Sequence, residues 1–219
     1  MGQLQLVKAA NNAISAVITF TVSSTLAGQS LVMGVFNASS SSVTSVDDGH
    51  SGSWVTRSTT GVNLHWVDIL SCPASVTSII FTASVADVML GFLMSRDDIL
   101  AFDQIVAQRN QSAVTTWTSN TSAAMAQNSE IGFGMAASSV SGGLISGAGS
   151  GWTAGSSATV TGGVLDDASG DSGFMETQIF SAGGTTSATG SCDVSANPKS
   201  ILALYKLITA DTLFGQACY

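Results

Sequence analysis

A two-residue rhythm constrains this chain more than any other feature. Apolar and polar residues alternate in short runs, each bounded by Gly, Ser, Asn or Asp. Side chains on a strand point alternately to opposite sides, so such runs read as strands with one buried face. In Ala16–Val22, for instance, Ile18, Phe20 and Val22 share a face. The same rhythm marks Ser30–Phe36, Val62–Val67, Thr77–Ala83, Val88–Met94, Glu130–Ala136, Phe174–Phe180 and Ser200–Leu207. It is fainter in Gln3–Lys8, Val43–Val46, Ser53–Arg57, Ala113–Thr118 and Thr185–Cys192. About a dozen strands are expected.

Helical spacing shows only in Asp97–Arg109, where β-branched and turn residues favour loop and strand instead. Pro73 and Pro198 each sit beside an expected strand start, where a missing N–H costs least. The Gly/Ser-rich block 138–163 reads as loops and short edge strands, because Leu144, Ile145, Trp152 and Val160 are spaced as core contributors. No internal repeat or shift in composition divides the chain, so residues 1–219 are expected to form a single domain. The expected fold is all-β: an antiparallel two-sheet β-sandwich, jelly-roll-like. Residues 1–12 and 208–219 are the expected assembly arms, since termini are free to reach neighbours.

Charged residues make up 9% of the chain, against roughly 25% in an ordinary soluble domain. Their place is taken by 35 Ser and 22 Thr. A neutral hydroxyl surface opposes association weakly, because contact neither strips water from charges nor brings like charges together. It suits a protein covered by copies of itself or by a partner. Six Lys and Arg against fourteen Asp and Glu leave no basic patch for phosphates, so nucleic acid is not an expected partner. Asn11, Asn12, Ser15 and Thr19 interrupt the N-terminal apolar residues, and no run approaches ~18 apolar residues. Neither a secretion signal nor a membrane partner is expected.

Catalysis by serine needs a nucleophile, a base and an acid that orients the base. Gly170-Asp171-Ser172-Gly173 supplies a serine in the setting typical of chymotrypsin-like enzymes, with His50 or His65 as base and Asp68 as acid in the same chain order. The surroundings differ, however. His50 lies in a turn sequence rather than in Ala-Ala-His-Cys, His65 alternates with Leu64 and Trp66, and Phe174 follows the tetrapeptide where Gly-Pro is usual. The chain is therefore not expected to be an enzyme, nor to carry a cofactor.

Asp166, Asp167 and Asp171 share one loop and are the candidate cation ligands, although their spacing is not that of an EF-hand. Glu176 alternates with Met175 and Thr177 on a strand and is an acid/base candidate only if a cleft receives it. Asp47-Asp48-Gly49 reads as a turn. Cys72, Cys192 and Cys218 are too widely spaced for a metal site; a Cys72–Cys192 bridge depends on geometry. Trp54, Trp66, Trp117 and Trp152 are either core residues or faces for stacking sugar rings.

Several segments resemble one family of proteins. They are Gly28–Thr59, "GVNLHWV", "CPASVTSIIFTAS", "FDQ", "GSGWT", "METQIFSAGGTTSATGS" and "SILALYK". Together they are similar to phage- and prophage-associated β-sandwich virion structural proteins of the capsid decoration or cement type, over roughly residues 25–207. "DDGHSGSW" replaces the usual turn of that family. The resemblance implies a fold and a setting rather than a reaction. The expectation is a bacteriophage head protein, made in the host cytoplasm and located in the virion, with its own copies as a trimer and the major capsid protein as partners. The alternative is a tail-fibre or other glycan-binding module using Trp54, Trp117 or Trp152.

Overall fold

In a computed structural model of the chain, the residues described are 5–23, 27–57, 63–108, 114–139, 145–155, 164–166 and 170–209. Every regular element among them is a strand, and all pairing is antiparallel. The first half holds β1 (Gln5–Thr21), β2 (Ser30–Asn37), β3 (Val43–Asp47), β4 (Val55–Thr56), β5 (Leu64–Ile69) and β6 (Ser78–Arg96). The second holds β7 (Ile99–Gln108), β8 (Val114–Thr118), β9 (Glu130–Ser138), β10 (Ile145–Ala148), β11 (Thr153–Ala154), β12 (Val164–Asp166), β13 (Ser172–Phe180), β14 (Thr189–Ala196) and β15 (Lys199–Leu207). The expected all-β antiparallel sandwich is present, elaborated by a third sheet.

Two six-stranded sheets face each other. One runs β1-β6-β2-β5-β4, with β3 also on β6; the other runs β11-β13-β9-β15-β7, with β12 also on β13. Between them Phe36, Trp66, Phe92, Phe133, Met135 and Tyr205 form the central core. Full burial of each large apolar side chain contributes about 1.5–3 kcal/mol, so this layer holds the two main sheets together.

Neither sheet has a solvated back. The outer face of the second is covered by the three-stranded sheet β10-β14-β8, with Trp117, Phe174, Leu202 and Leu204 between the two. The outer face of the first is covered by its own strands. β6 pairs with β3 through residues 80–83 and with β2 through residues 89–96, so it leaves one layer and enters the next. β1 follows it, with register shifts between Asn11, Ser15 and Val17. At 19 residues β6 far exceeds the usual strand of about 5–6.

The bend explains why β6 reads as two strands, Thr77–Ala83 and Val88–Met94, and why β1 reads as two. Residues 78–83 alternate because they have one solvated face, whereas 88–96 are buried on both. A strand covered on both faces loses its alternation and becomes a continuous apolar run.

The same strand order occurs twice. In the first half, the main sheet β1-β6-β2-β5-β4 carries a cover formed by β1, β6 and β3. In the second, the main sheet β7-β15-β9-β13-β11 carries the cover β8-β14-β10. One long strand in the first half corresponds to two short ones in the second: β1 to β7 plus β8, and β6 to β14 plus β15. Between β14 and β15 lies Pro198, which has no N–H to give a ladder.

The match extends to register. Leu6, Met94, Val32, Asp68 and Val55 stand in one row across five strands. Ile105, Ala203, Phe133, Thr177 and Thr153 stand in the equivalent row. Even the irregularity in the covers repeats, between Val43 and Ser45 in β3 and between Ile145 and Gly147 in β10. Trp54 immediately precedes β4, and Trp152 immediately precedes β11. The two units pack main sheet to main sheet, each with its cover outward.

Candidate functional site

The residues of a serine triad are placed apart. Ser172 is buried at the start of β13, and its hydroxyl accepts the N–H of Ile145 at 3.0 Å. His65 lies on β5 within 2.9 Å of the Ser41 hydroxyl, and burial pushes its pKa down to about 4. His50 is exposed in the loop after β3, with Nδ1 3.0 Å from the Asp48 carbonyl. Asp68 is engaged elsewhere, in the network below.

That network crosses the central core. Tyr205 of β15 donates its hydroxyl proton to Asp68 Oδ2 at 2.8 Å and accepts the indole N–H of Trp66 at 2.6 Å. Arg57, one residue past β4, grips the same carboxylate through Nε at 2.9 Å and Nη2 at 3.3 Å. Its guanidinium also stacks 4.2 Å from the centre of the Phe102 ring. Asp68, Trp66 and Tyr205 are fully buried. Burial, reinforced by the neighbouring Asp68 charge, raises the Tyr205 phenol well above its ordinary pKa, so it stays a donor. Arg57, Trp66 and Asp68 belong to one sheet or its edge and Tyr205 to the other, so the network fixes how the sheets register.

Each unit also buries a carboxylate beside its tryptophan turn. In the first unit Asp48 accepts the N–H groups of His50 and Gly52 and the indole N–H of Trp54, at 2.8, 3.2 and 3.0 Å. Burial alone would raise the pKa of Asp48, but these donors outweigh it and the net shift is downward. The turn expected at Asp47-Asp48-Gly49 is present: Gly49 takes φ +72° and its N–H bonds Asp47. In the second unit Glu176 of β13 accepts the N–H groups of Gly149 and Thr189, each at 3.1 Å. Here burial wins and pushes the pKa up to about 7. Glu176 thereby ties the cover to the main sheet beneath it.

The three tryptophans named as sugar platforms occupy different settings. Trp117 is 1% exposed within the core under the second cover and lines a pocket of about 400 Å³ with residues 116–118, Ala148, Gly149 and 189–191. Trp152 is half-buried and packs edge-on against Phe180, with ring centres 5.9 Å apart. Trp54 is half-buried and lines a pocket of about 350 Å³ with residues 43–46, Gly52, Ser53, Thr56 and Val67.

Of the candidate cation ligands, Asp166 is exposed on β12 and Asp171 is buried beside Lys199, whose charge it favours. Asp167 lies outside the described residues. Among the described residues no three His, Cys, Asp or Glu side chains converge on one point. Cys72 and Cys192 are buried in different clusters, one in each unit, and no disulfide joins them. Cys218, Leu144 and Val160 lie outside the described residues. Of the expected arms, residues 5–11 are paired within β1, Ile208 donates its N–H to Asp98, and 1–4 and 210–219 lie outside the described residues.

The fold thus defines an all-β antiparallel sandwich protein of two topologically equivalent units. No family model, curated protein or solved structure matches the chain.

Proposed function

We propose that this chain is a structural protein of a bacteriophage virion, one that decorates or cements the head as a homotrimer. Its partners are its own copies and the major capsid protein, and its work is binding rather than catalysis. The phage setting rests on the sequence resemblance. The assembly role rests on one observation: among the described side chains, both outward cover faces are almost free of charge.

On the first cover the outward rows are Val17–Thr82–Ser45, Thr19–Ile80–Asp47 and Thr21–Ser78, in which Asp47 alone is charged. On the second the outward rows among the described side chains are Thr116–Ser191–Gly147 and Thr118–Thr189, with no charge; the side chain of Asp193, further along β14, lies outside them. Exposed apolar side chains gather where β1 and β6 bend: Ile14 is 78% exposed, Val85 40%, Val17 39% and Ile80 37%. Burying such a face strips few charges of water, so the ~1,200–2,000 Å² of a standard interface forms without a large desolvation cost.

Lysine at position 80 places a charge in the middle of the first face while leaving the core untouched. Sedimentation of Ile80→Lys is expected to show dissociation to monomer, with a far-ultraviolet circular dichroism spectrum like that of wild type, since a change at an exposed strand position leaves the fold in place. Thr118→Lys applies the same test to the second face. Retention of the wild-type assembly by both variants would overturn the reading.

A further inference from the structure

The geometry points to a binding subsite for a single uncharged sugar ring in the pocket beside Trp54. The comparison between the two units carries this inference. Val67 in the row Met33–Val67–Thr56 corresponds to Glu176 in the row Gly134–Glu176–Ala154. In the second unit the gap between cover and main sheet is bridged there, because Glu176 bonds Gly149 and Thr189. Trp152 is further covered edge-on by Phe180, with ring centres 5.9 Å apart. In the first unit the bridging position is Val67, and the gap remains open as the pocket. No aromatic ring packs on Trp54 among the described residues.

The lining sets the chemistry of the occupant. Thr44, Ser53, Thr56 and the half-buried Trp54 line the space together with Val43, Val46 and Val67, and no charged residue is part of that lining. A ligand with a ring of hydroxyls and an apolar face fits that set, with its apolar face on the indole. An anionic or cationic ligand has no counter-charge there. The volume, about 350 Å³, lies at the small end of ligand pockets, which suits one ring rather than a chain. Trp54 is also pre-positioned, since its indole N–H is held by the buried Asp48 carboxylate. A preset side chain loses little freedom on binding. The inference does not rest on the assembly proposed above, although Ser45 belongs both to the pocket lining and to the first cover face.

The full-length protein, labelled with nitrogen-15, is titrated with glucose, galactose, mannose and N-acetylglucosamine to tens of millimolar. The Trp54 indole N–H signal is assigned from its loss in Trp54→Phe. A saturable shift of that signal with at least one sugar is expected, with a Kd in the millimolar range typical of a ligand of so few atoms. The buried Trp66 and Trp117 signals should stay in place. Trp54→Ala and the conservative Thr56→Val should each weaken binding by threefold or more, whereas Trp152→Ala should not. The inference fails if no sugar produces a saturable shift, if all indole signals move together, or if binding survives both pocket variants. None of those failures alters the sedimentation result that tests assembly.

Discussion

Asp68→Ala is expected to destabilise the protein by about 3 kcal/mol, more than any surface change, because it dismantles a polar network that spans the central core. The substitution leaves the Tyr205 hydroxyl without its acceptor and a small void between the sheets. Arg57 suffers less, since its side chain is 25% exposed and can turn to water. Tyr205→Phe should cost about 2 kcal/mol, because the Trp66 N–H then loses its buried acceptor and Asp68 loses a donor. The residues touch, so the double variant should fall short of the sum by 0.5 kcal/mol or more. For a chain of this size ~3 kcal/mol corresponds to a fall in melting temperature of about 6–12 °C. Urea unfolding of the four proteins checks this; additive losses of a few tenths of a kcal/mol would show that the network does not hold the sheets together.

A second large effect is hidden in the wild type by cancellation. His65 stays neutral in the fold down to about pH 4, whereas in the unfolded chain it gains a proton below its ordinary 6.5. The unfolded state binds more protons in that window, so stability is lost as pH falls from 6.5 towards 4. Glu176 does the opposite. It keeps its proton in the fold up to about 7 but loses it near 4.5 when unfolded, so stability is lost as pH rises through that window. Each full swing amounts to about 3 kcal/mol, and between about pH 4.5 and 6.5 the two oppose.

Removing either group exposes the other. His65→Leu should lose stability as pH rises from 4.5 to 7, and Glu176→Gln should gain it as pH rises from 4 to 6.5. Glu130, which burial also raises, adds to the falling limb in all three proteins and drops out of the comparison. Urea midpoints at pH 4.5 and 6.5 suffice. Slopes in the variants equal to that of the wild type would show that neither side chain is held in the state its burial dictates.

Strand positions were legible because a solvated cover face leaves alternation in the sequence, as at Ala16–Val22 and Thr77–Ala83. Layer number was not, because inner strands such as Ser30–Asn37 are buried on both sides and say nothing about what covers them. The twofold repetition of the strand order was hidden by exchange of bulk between partners. Ile18 pairs with Phe81 in the first cover, but the equivalent pair in the second is Trp117 with Gly190. There the single indole fills the volume, and a side chain on Gly190 would overlap it. Conserving volume rather than identity keeps a core packed while erasing the sequence repeat.

The sites follow the same division. The turn at Asp47-Asp48-Gly49 is local, so its residues announced it. Arg57, Asp68 and Tyr205 meet only because two sheets stack, and nothing local marks Tyr205, 137 positions away from Asp68. Ser172, His65 and Asp68 satisfied the chain order of a triad, but each is bonded within a different part of the fold. Sequence order carries no distance, and hydrogen-bond reach is what catalysis requires.

The most direct test of the assembly role is the mass of the full chain in solution, followed by its addition to phage heads that lack it. A protomer of 22.1 kDa predicts a species of three times that mass, about 66 kDa, whose proportion rises with concentration, and saturable binding of that species to the heads. A protein that stays at 22.1 kDa at every concentration and leaves the heads bare would contradict it.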